Sequence, residues 1–223
     1  MSKQPEKTSN NTKRIVIAVG VAIVAALLIA VLSGGDSNGD SSGSAANQGD
    51  ASSSTGENQA VEVVGAVLEP LPESGADPVA GLEAPTINGS SFDSTPITVN
   101  PGDGQNYMLV FLAHWCPHCN REVPRLIEWQ ASGGIPADLQ IIGISTAVAS
   151  DRPNYPPSQW VVDKGWPWPV MADSKNMDAA EAYGVSGFPF FVFVGADGTV
   201  KIRKSGEIEI EQLNQLVAEA LAD

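Results

Sequence analysis

Residues 107–119 read YMLVFLAHWCPHC. The first seven, Tyr107 to Ala113, are an unbroken apolar run between polar loops. A run of that length predicts a strand buried on both faces. Two cysteines spaced Cys-x-x-Cys follow at once, and the chain has no others. Pro117 suits the first position of a helix, where its missing N–H would be unpaired anyway. Downstream, Val123, Leu126, Ile127 and Trp129 recur at helical spacing, and Gly133-Gly134 ends the pattern. The cysteines therefore sit where a buried strand gives way to a helix.

That position carries chemistry. The first turn of a helix has unpaired N–H groups and partial positive charge, so a thiolate at Cys116 is stabilised and its pKa is expected to fall. Cys119 lies one turn on, on the same face, placed to resolve a mixed disulfide. His118, if protonated, adds positive charge beside the thiolate and makes the disulfide more oxidising; as an exposed turn residue it has little such effect. An inert disulfide between these cysteines closes a very short loop and removes little chain entropy. A metal reading stays open, since His114, Cys116, His118 and Cys119 offer zinc or copper four N/S ligands within six residues. A peroxidase is a third class, but the Pro-x-x-x-Thr pattern that precedes its single reactive cysteine is missing. No cofactor is expected, and no metal site is assigned.

Working outward, Leu139 to Ser145 is a second buried strand and Ser158 to Lys164 a short helix stopped by Gly165. Asp178 to Tyr183 is a third helix, Phe190 to Val194 a strand, Ala196 to Thr199 a hairpin turn and Val200 to Lys204 its partner strand. Ile210 to Leu221 closes the chain as an amphipathic helix. Before the quoted stretch, Ala60 to Gly81 reads as a lead-in with one edge strand, and Ile97 to Val99 as a short strand after a turn at Ser90 to Asp93. The order predicts an α/β domain: a central mixed sheet flanked by helices on both faces.

The N-terminal quarter is different. Ile15 to Leu32 holds 18 residues without a charge, enough to cross a ~30 Å hydrocarbon core. Lys3, Lys7, Lys13 and Arg14 precede it, so the positive-inside rule puts residues 1–14 in the cytoplasm and the rest outside. The expectation is a transmembrane signal-anchor over 15–32 at the cell membrane, a flexible Gly/Ser/Asp-rich linker over 33–59 and one folded domain over 60–223. The formal net charge of −14 argues against nucleic-acid partners.

From Gly81 on, the chain resembles the thioredoxin-like family of TlpA and ResA type, in the wider redoxin and AhpC/TSA-like superfamily. The resemblance rests on Ala84-Pro85, on Ala113 to Cys119, on Glu122-Val123-Pro124, on Val185-Ser186-Gly187-Phe188-Pro189 and on Asp197-Gly198. It implies a thioredoxin-like fold and a membrane-anchored, extracytoplasmic protein disulfide oxidoreductase. Its partners would be thiol- or disulfide-containing exported proteins and a transmembrane electron donor or acceptor. It implies that Phe188–Pro189 is a cis bond facing the cysteines, with the Phe188 backbone pairing an extended substrate segment. A trans proline at a strand start is the plainer alternative. Glu122 would shuttle protons to the cysteines, against the alternative of an ordinary surface glutamate. Trp115, beside the nucleophile, is the best candidate for an apolar substrate contact. Two departures bear on direction: Val110 stands where cytoplasmic thioredoxins carry a buried aspartate, and Pro117-His118 is similar to the dipeptide of DsbA oxidases. Oxidase and reductase both stay open.

Overall fold

The computed structural model describes residues 56–222. The expected cytoplasmic tail, the anchor over 15–32 and the linker up to residue 55 lie outside the described residues. Among the described residues, no helix is long and apolar enough to cross a membrane.

A five-stranded sheet forms the centre. Its strands are β4 (Asn106–Leu112), β5 (Leu139–Ser145), β6 (Val170–Ala172), β7 (Phe190–Val194) and β8 (Val200–Ser205), in the order β6-β5-β4-β7-β8. β4, β5 and β6 run parallel, while β7 is antiparallel to both β4 and β8, so the sheet is mixed. The apolar run at the start of the argument is the middle strand, buried from Tyr107 to Leu112. Its alternate residues feed two cores. Met108, Val110 and Leu112 meet Val123, Leu126 and Trp129 of α1 (Pro117–Ala131), Trp160 of α2 (Pro157–Asp163), and Leu213 and Val217 of α4 (Ile210–Ala220). Tyr107, Leu109 and Phe111 meet Ala179 and Ala182 of α3 (Asp178–Ala182), with Tyr183 just beyond it.

The second face is shared with a small antiparallel sheet made by β1 (Glu62–Val64), β2 (Thr86–Ser90) and β3 (Pro96–Val99). Ile87 and Val99 pair across β2 and β3 and are fully buried against the central sheet. β2 and β6 escape a pattern reading. β2 is TINGS, with one apolar residue and an Asn-Gly that reads as a turn. β6 has three residues after a Pro/Trp-rich stretch and exists because it pairs with β5.

The boundary expected at residue 60 falls too late. Gly56 to Gln59, assigned to the linker, are seated on the domain. The Gly56 N–H donates to the Phe92 carbonyl at 2.9 Å, and the Gln59 N–H and Asn58 Nδ2 donate to the Asp173 carbonyl at 3.3 and 3.1 Å. The Glu57 carboxylate accepts from the Ser158 N–H and hydroxyl at 2.9 and 2.6 Å. Backbone and side-chain hydrogen bonds hold this segment, so its lack of apolar residues did not reveal it.

The lead-in is pinned from below by a buried ion pair. Arg203 of β8 donates to Asp77 through Nε at 2.9 Å and Nη2 at 2.7 Å, and its Nη1 donates to the carbonyls of Glu69 and Tyr183 at 2.7 and 3.0 Å. The hydrogen bonds from Arg203 hold the Asp77 carboxyl below its ordinary range. Gly184 ends α3 with φ +62°, and a Cβ there would sit 2.3 Å from the Glu69 oxygen, so only glycine lets the lead-in approach. Breaking the pair leaves the carbonyls of Glu69 and Tyr183 without this donor and the partly buried Asp77 carboxylate with the Val79 N–H alone. Arg203→Met is expected to lower stability by about 3 kcal/mol in urea unfolding. The Asp77 contribution, present above its unfolded pKa of about 4, is lost as the pH falls through its lowered folded value.

Candidate active site

The strand directions converge on one edge. β4 runs toward the cysteines and ends at Leu112; β7, antiparallel to it, begins there, with Phe111 opposite Phe190. β8 returns to the same edge, with Phe190 opposite Ser205, and the Gly206 N–H donates to the Pro189 carbonyl at 2.8 Å. Three segments far apart in sequence therefore meet: residues 113–122, the loop before Pro189, and the loop after β8.

Cys116 is the N-cap of α1 and Pro117 its first residue, as the motif predicts. As residues, Cys116 is 6% exposed and Cys119 is fully buried, so Cys116 is the nearer of the two to solvent. Both are free thiols. Burial, foremost, and the neighbouring Cys116 push the Cys119 thiol far above its ordinary value. Phe188–Pro189 is cis, and the Phe188 carbonyl accepts from Cys116 Sγ at 3.5 Å. The structure thus brings Cys116, Cys119, Phe188 and Pro189 together.

Glu122 is no surface residue. It is fully buried on α1, bonded by Arg125 Nη1 at 2.5 Å and by the Ile208 N–H at 3.2 Å. Burial outweighs these partners and pushes its carboxyl up to about 7. A carboxyl that titrates there exchanges a proton readily near neutrality, and its charge adds to the forces that keep Cys119 protonated. Pro124, inside α1, has no N–H for the Asn120 carbonyl; Lys164 Nζ reaches that carbonyl at 3.4 Å instead.

His118 is an exposed turn residue, as one of its two readings has it, and it has a charged neighbour. Its side chain is 58% exposed and its Nδ1 lies 2.6 Å from Glu207 Oε1. Trp115 stacks edge-on against Phe188, with ring centres 6.2 Å apart, and its Nε1 donates to the Ala147 carbonyl at 2.8 Å. Arg152 lies over the Trp115 ring at 5.4 Å. Phe188 continues from this pair into an apolar groove of about 650 Å³ lined by Val67, Met177, Ala180 and Val185. Phe190, by contrast, is wholly in the core.

The metal reading loses its first ligand. His114 is buried, its Nδ1 lies 2.8 Å from the Pro153 carbonyl, and its Nε2 accepts from the Ala149 N–H at 3.2 Å. That pairing puts the proton on Nδ1 and leaves no ring lone pair for a metal. Among the described residues, no group of three or more His, Cys, Asp or Glu side chains is arranged to hold a metal ion.

Residues 80–203 match the AhpC/TSA family. The chain belongs to the AhpC/TSA family. Within that family setting, it is 25% identical over 145 residues to the thiol-disulfide oxidoreductase ResA of Halalkalibacterium halodurans, a match covering 62% of this chain and 77% of ResA. It is 31% identical over 129 residues to the soluble secreted antigen MPT53 of Mycobacterium tuberculosis, covering 56% and 64%. A castor bean (Ricinus communis) protein disulfide-isomerase matches at 35% over 86 residues, which is 39% of this chain and 15% of that protein. Among solved structures, a thiol:disulfide interchange protein of Chlorobium tepidum superposes with a TM-score of 0.53 at 23% identity, covering 67% of this chain and all of that one. StoA of Bacillus subtilis gives 0.50 at 16% identity, covering 59% and 96%. These likenesses show that the AhpC/TSA domain here has the thioredoxin-like fold.

Pattern reading missed Arg121, Arg125, Asn120 and Glu207. Asn120 Nδ2 donates to the carbonyls of His114 and Cys116 at 3.1 and 2.9 Å, while its Oδ1 accepts from Trp160 Nε1 at 3.0 Å, so it ties the motif to α2. Its place directly after Cys119 was the available signal; Glu207 gave none, being brought in only by the course of β8.

A titration follows from Glu122. Its carboxyl carbon, labelled with carbon-13, should report a midpoint near 7 by NMR. The folded pKa is raised above the unfolded value of about 4.3, so the associated stability is present below 4.3 and lost as the pH rises to about 7. Glu122→Gln should therefore gain stability relative to the unaltered protein over that interval, measured by urea unfolding at each pH.

Proposed function

We propose that this protein is a thiol–disulfide oxidoreductase that exchanges disulfides with exported proteins through Cys116 and Cys119, outside the membrane. The observation that carries the reading is the asymmetry of the two cysteines: Cys116 caps the helix with its sulfur 3.5 Å from the Phe188 carbonyl and keeps a small exposure, and Cys119, one turn on, has none. The name of the relative ResA, a thiol-disulfide oxidoreductase, supports the same chemistry. The uncharged stretch 15–32 behind basic residues supports the anchor and the extracytoplasmic location.

In the reducing direction, the Cys116 thiolate attacks one sulfur of a substrate disulfide. The substrate S–S bond breaks, the second substrate sulfur leaves as a thiolate and takes up a proton, and a mixed disulfide forms on Cys116. Cys119 then attacks the Cys116 sulfur, losing its proton as it does so. Glu122, buried on the same helix with a carboxyl poised near 7, accepts that proton. The bond between Cys116 and the first substrate sulfur breaks, that sulfur leaves as a thiolate and takes up a proton, and the protein holds the Cys116–Cys119 disulfide. Two electrons have passed to the substrate; the oxidising direction is the reverse. The extended substrate would lie along the Phe188 backbone, adding a strand there, with Trp115 and Phe188 as apolar contacts.

The alternative of a copper or zinc carrier is not favoured by the engaged ring of His114.

A disulfide-linked peptide probe distinguishes the roles. Cys119→Ser should accumulate a mixed disulfide on Cys116, visible by intact-protein mass spectrometry, because nothing resolves it. Cys116→Ser should form none and lose exchange activity by 100-fold or more. Equal trapping on either cysteine, or full activity in Cys116→Ser, would overturn the assignment.

A further inference from the structure

A charge cluster outside the sulfur chemistry links the motif to the loop after β8. Glu207 Oε1 lies 2.6 Å from His118 Nδ1 and 2.6 Å from Arg121 Nη2, and Arg121 Nε bonds both Glu207 oxygens at 3.2 and 3.1 Å. Arg121 Nη2 also lies 2.9 Å from His118 Nδ1. Arg125 Nη1 approaches Glu207 Oε2 at 3.6 Å while it bonds Glu122, and its Nη2 reaches Glu209 at 3.2 Å. Two cationic or titratable side chains from the first turns of α1 thus converge on one carboxylate carried by a different element.

We infer that Glu207 is a positioning residue that sets how oxidising the Cys116–Cys119 couple is, by holding and neutralising His118 and Arg121. The inference rests on the thiol–disulfide reading above. The physical argument is a balance of charge on one redox form. The form that attacks is the Cys116 thiolate; the disulfide carries no charge. Any positive charge nearby stabilises the reduced form and makes the disulfide a stronger oxidant; any negative charge does the opposite. Arg121 is close enough to feel Cys116: Glu207 first, and the Cys116 thiolate more weakly, hold its guanidinium more firmly charged. Glu207 itself is held down to about 2 by Arg121 and then His118, so it is an anion throughout the working range.

The other charges facing the motif, among the described residues, are Glu122 and Arg125 on α1, Glu209 on the loop before α4, Arg152, whose guanidinium lies over Trp115, and Lys164, whose Nζ reaches the Asn120 carbonyl. The first three belong to the Arg125 side of the cluster. Only Glu207 touches both His118 and Arg121. The Pro-His dipeptide therefore does not act as a bare positive charge. Its oxidising influence is countered by a carboxylate that no reading of the motif alone contains.

The test is the equilibrium of the described protein with reduced and oxidised glutathione at pH 7, read by thiol alkylation and mass spectrometry. Glu207→Gln should shift the equilibrium about two- to fivefold toward the reduced protein, the size expected of a partly exposed charge pair. Arg121→Gln should shift it the opposite way, and it serves as the second variant should Glu207→Gln fold poorly. Glu207→Asp should restore most of the original value. Glu207→Gln made on top of His118→Ala and Arg121→Gln should still shift the equilibrium toward the reduced protein through the loss of the carboxylate's own charge, and high salt should shrink every shift. Glu211→Gln, on the exposed side of α4, controls for loss of a single charge. A residue that merely braces the loop would change thermal stability and leave the equilibrium in place. An unchanged equilibrium in a folded Glu207→Gln, or a shift no larger than that of Glu211→Gln, would overturn the inference. Failure of the unaltered protein to exchange with glutathione at all would instead overturn the reading it rests on.

Discussion

The antiparallel pairing of β7 against β4 is the constraint on which the site depends. β4 could only deliver Cys116 to the sheet edge; it could not supply a partner for a substrate backbone. Because β7 runs the other way, its first residue lies where β4 ends, and the loop carrying Phe188 and Pro189 lands against the sulfur. The hairpin to β8 repeats the reversal and delivers Glu207 to the same edge. One register, with Phe111 opposite Phe190, thus brings residues 113–122 against two loops that follow much later in the chain, with Cys116 and Phe188 72 residues apart. A slip of one residue would turn the core face of β7 outward, so burial on both faces holds the register as firmly as it holds the fold.

Burial then divides the labour between two chemically identical side chains. At the end of a helix a thiol gains from unpaired N–H groups; one turn in, it has lost both water and those groups. Cys116 and Cys119 occupy these two positions. The same gradient explains Glu122. Its carboxyl keeps two hydrogen-bond donors yet lies where the loss of water dominates, which leaves it near 7 rather than near 4. Val110 of β4 is fully buried and apolar, so among the described residues Glu122 is the buried carboxyl whose charge bears on Cys119.

The parts legible in the sequence were those encoded locally. Seven consecutive apolar residues made β4 plain, helical spacing made α1 and α4 plain, and Cys-Pro-His-Cys between them located the chemistry. Cys116 at the start of α1 could be read from the motif, while the cis bond at Pro189 and the burial of Glu122 stood there against plainer alternatives and come from the structure. The parts missed were made by partners distant in sequence. β2 has a turn-like composition and is a strand because β1 and β3 flank it. Gly56 to Gln59 look like linker and are held by Phe92, Asp173 and Ser158. His118 looked like a free charge beside a thiolate until Glu207 arrived from a hairpin 89 residues later.

That last case carries a general point about reading redox motifs. The two residues between the cysteines are often treated as setting the potential, since they sit in the helix's first turn and touch the thiolate's field. Their effect depends on net charge, and net charge depends on counter-ions the motif does not contain. Here the loop after β8 brings a carboxylate within hydrogen-bonding reach of both His118 and Arg121. The fold brings that loop to the active edge whatever its sequence, because β8 must return beside β7. A single acidic residue there is a means of adjusting the couple without altering the cysteines, the proline or the dipeptide, and so without disturbing the surface that a substrate meets.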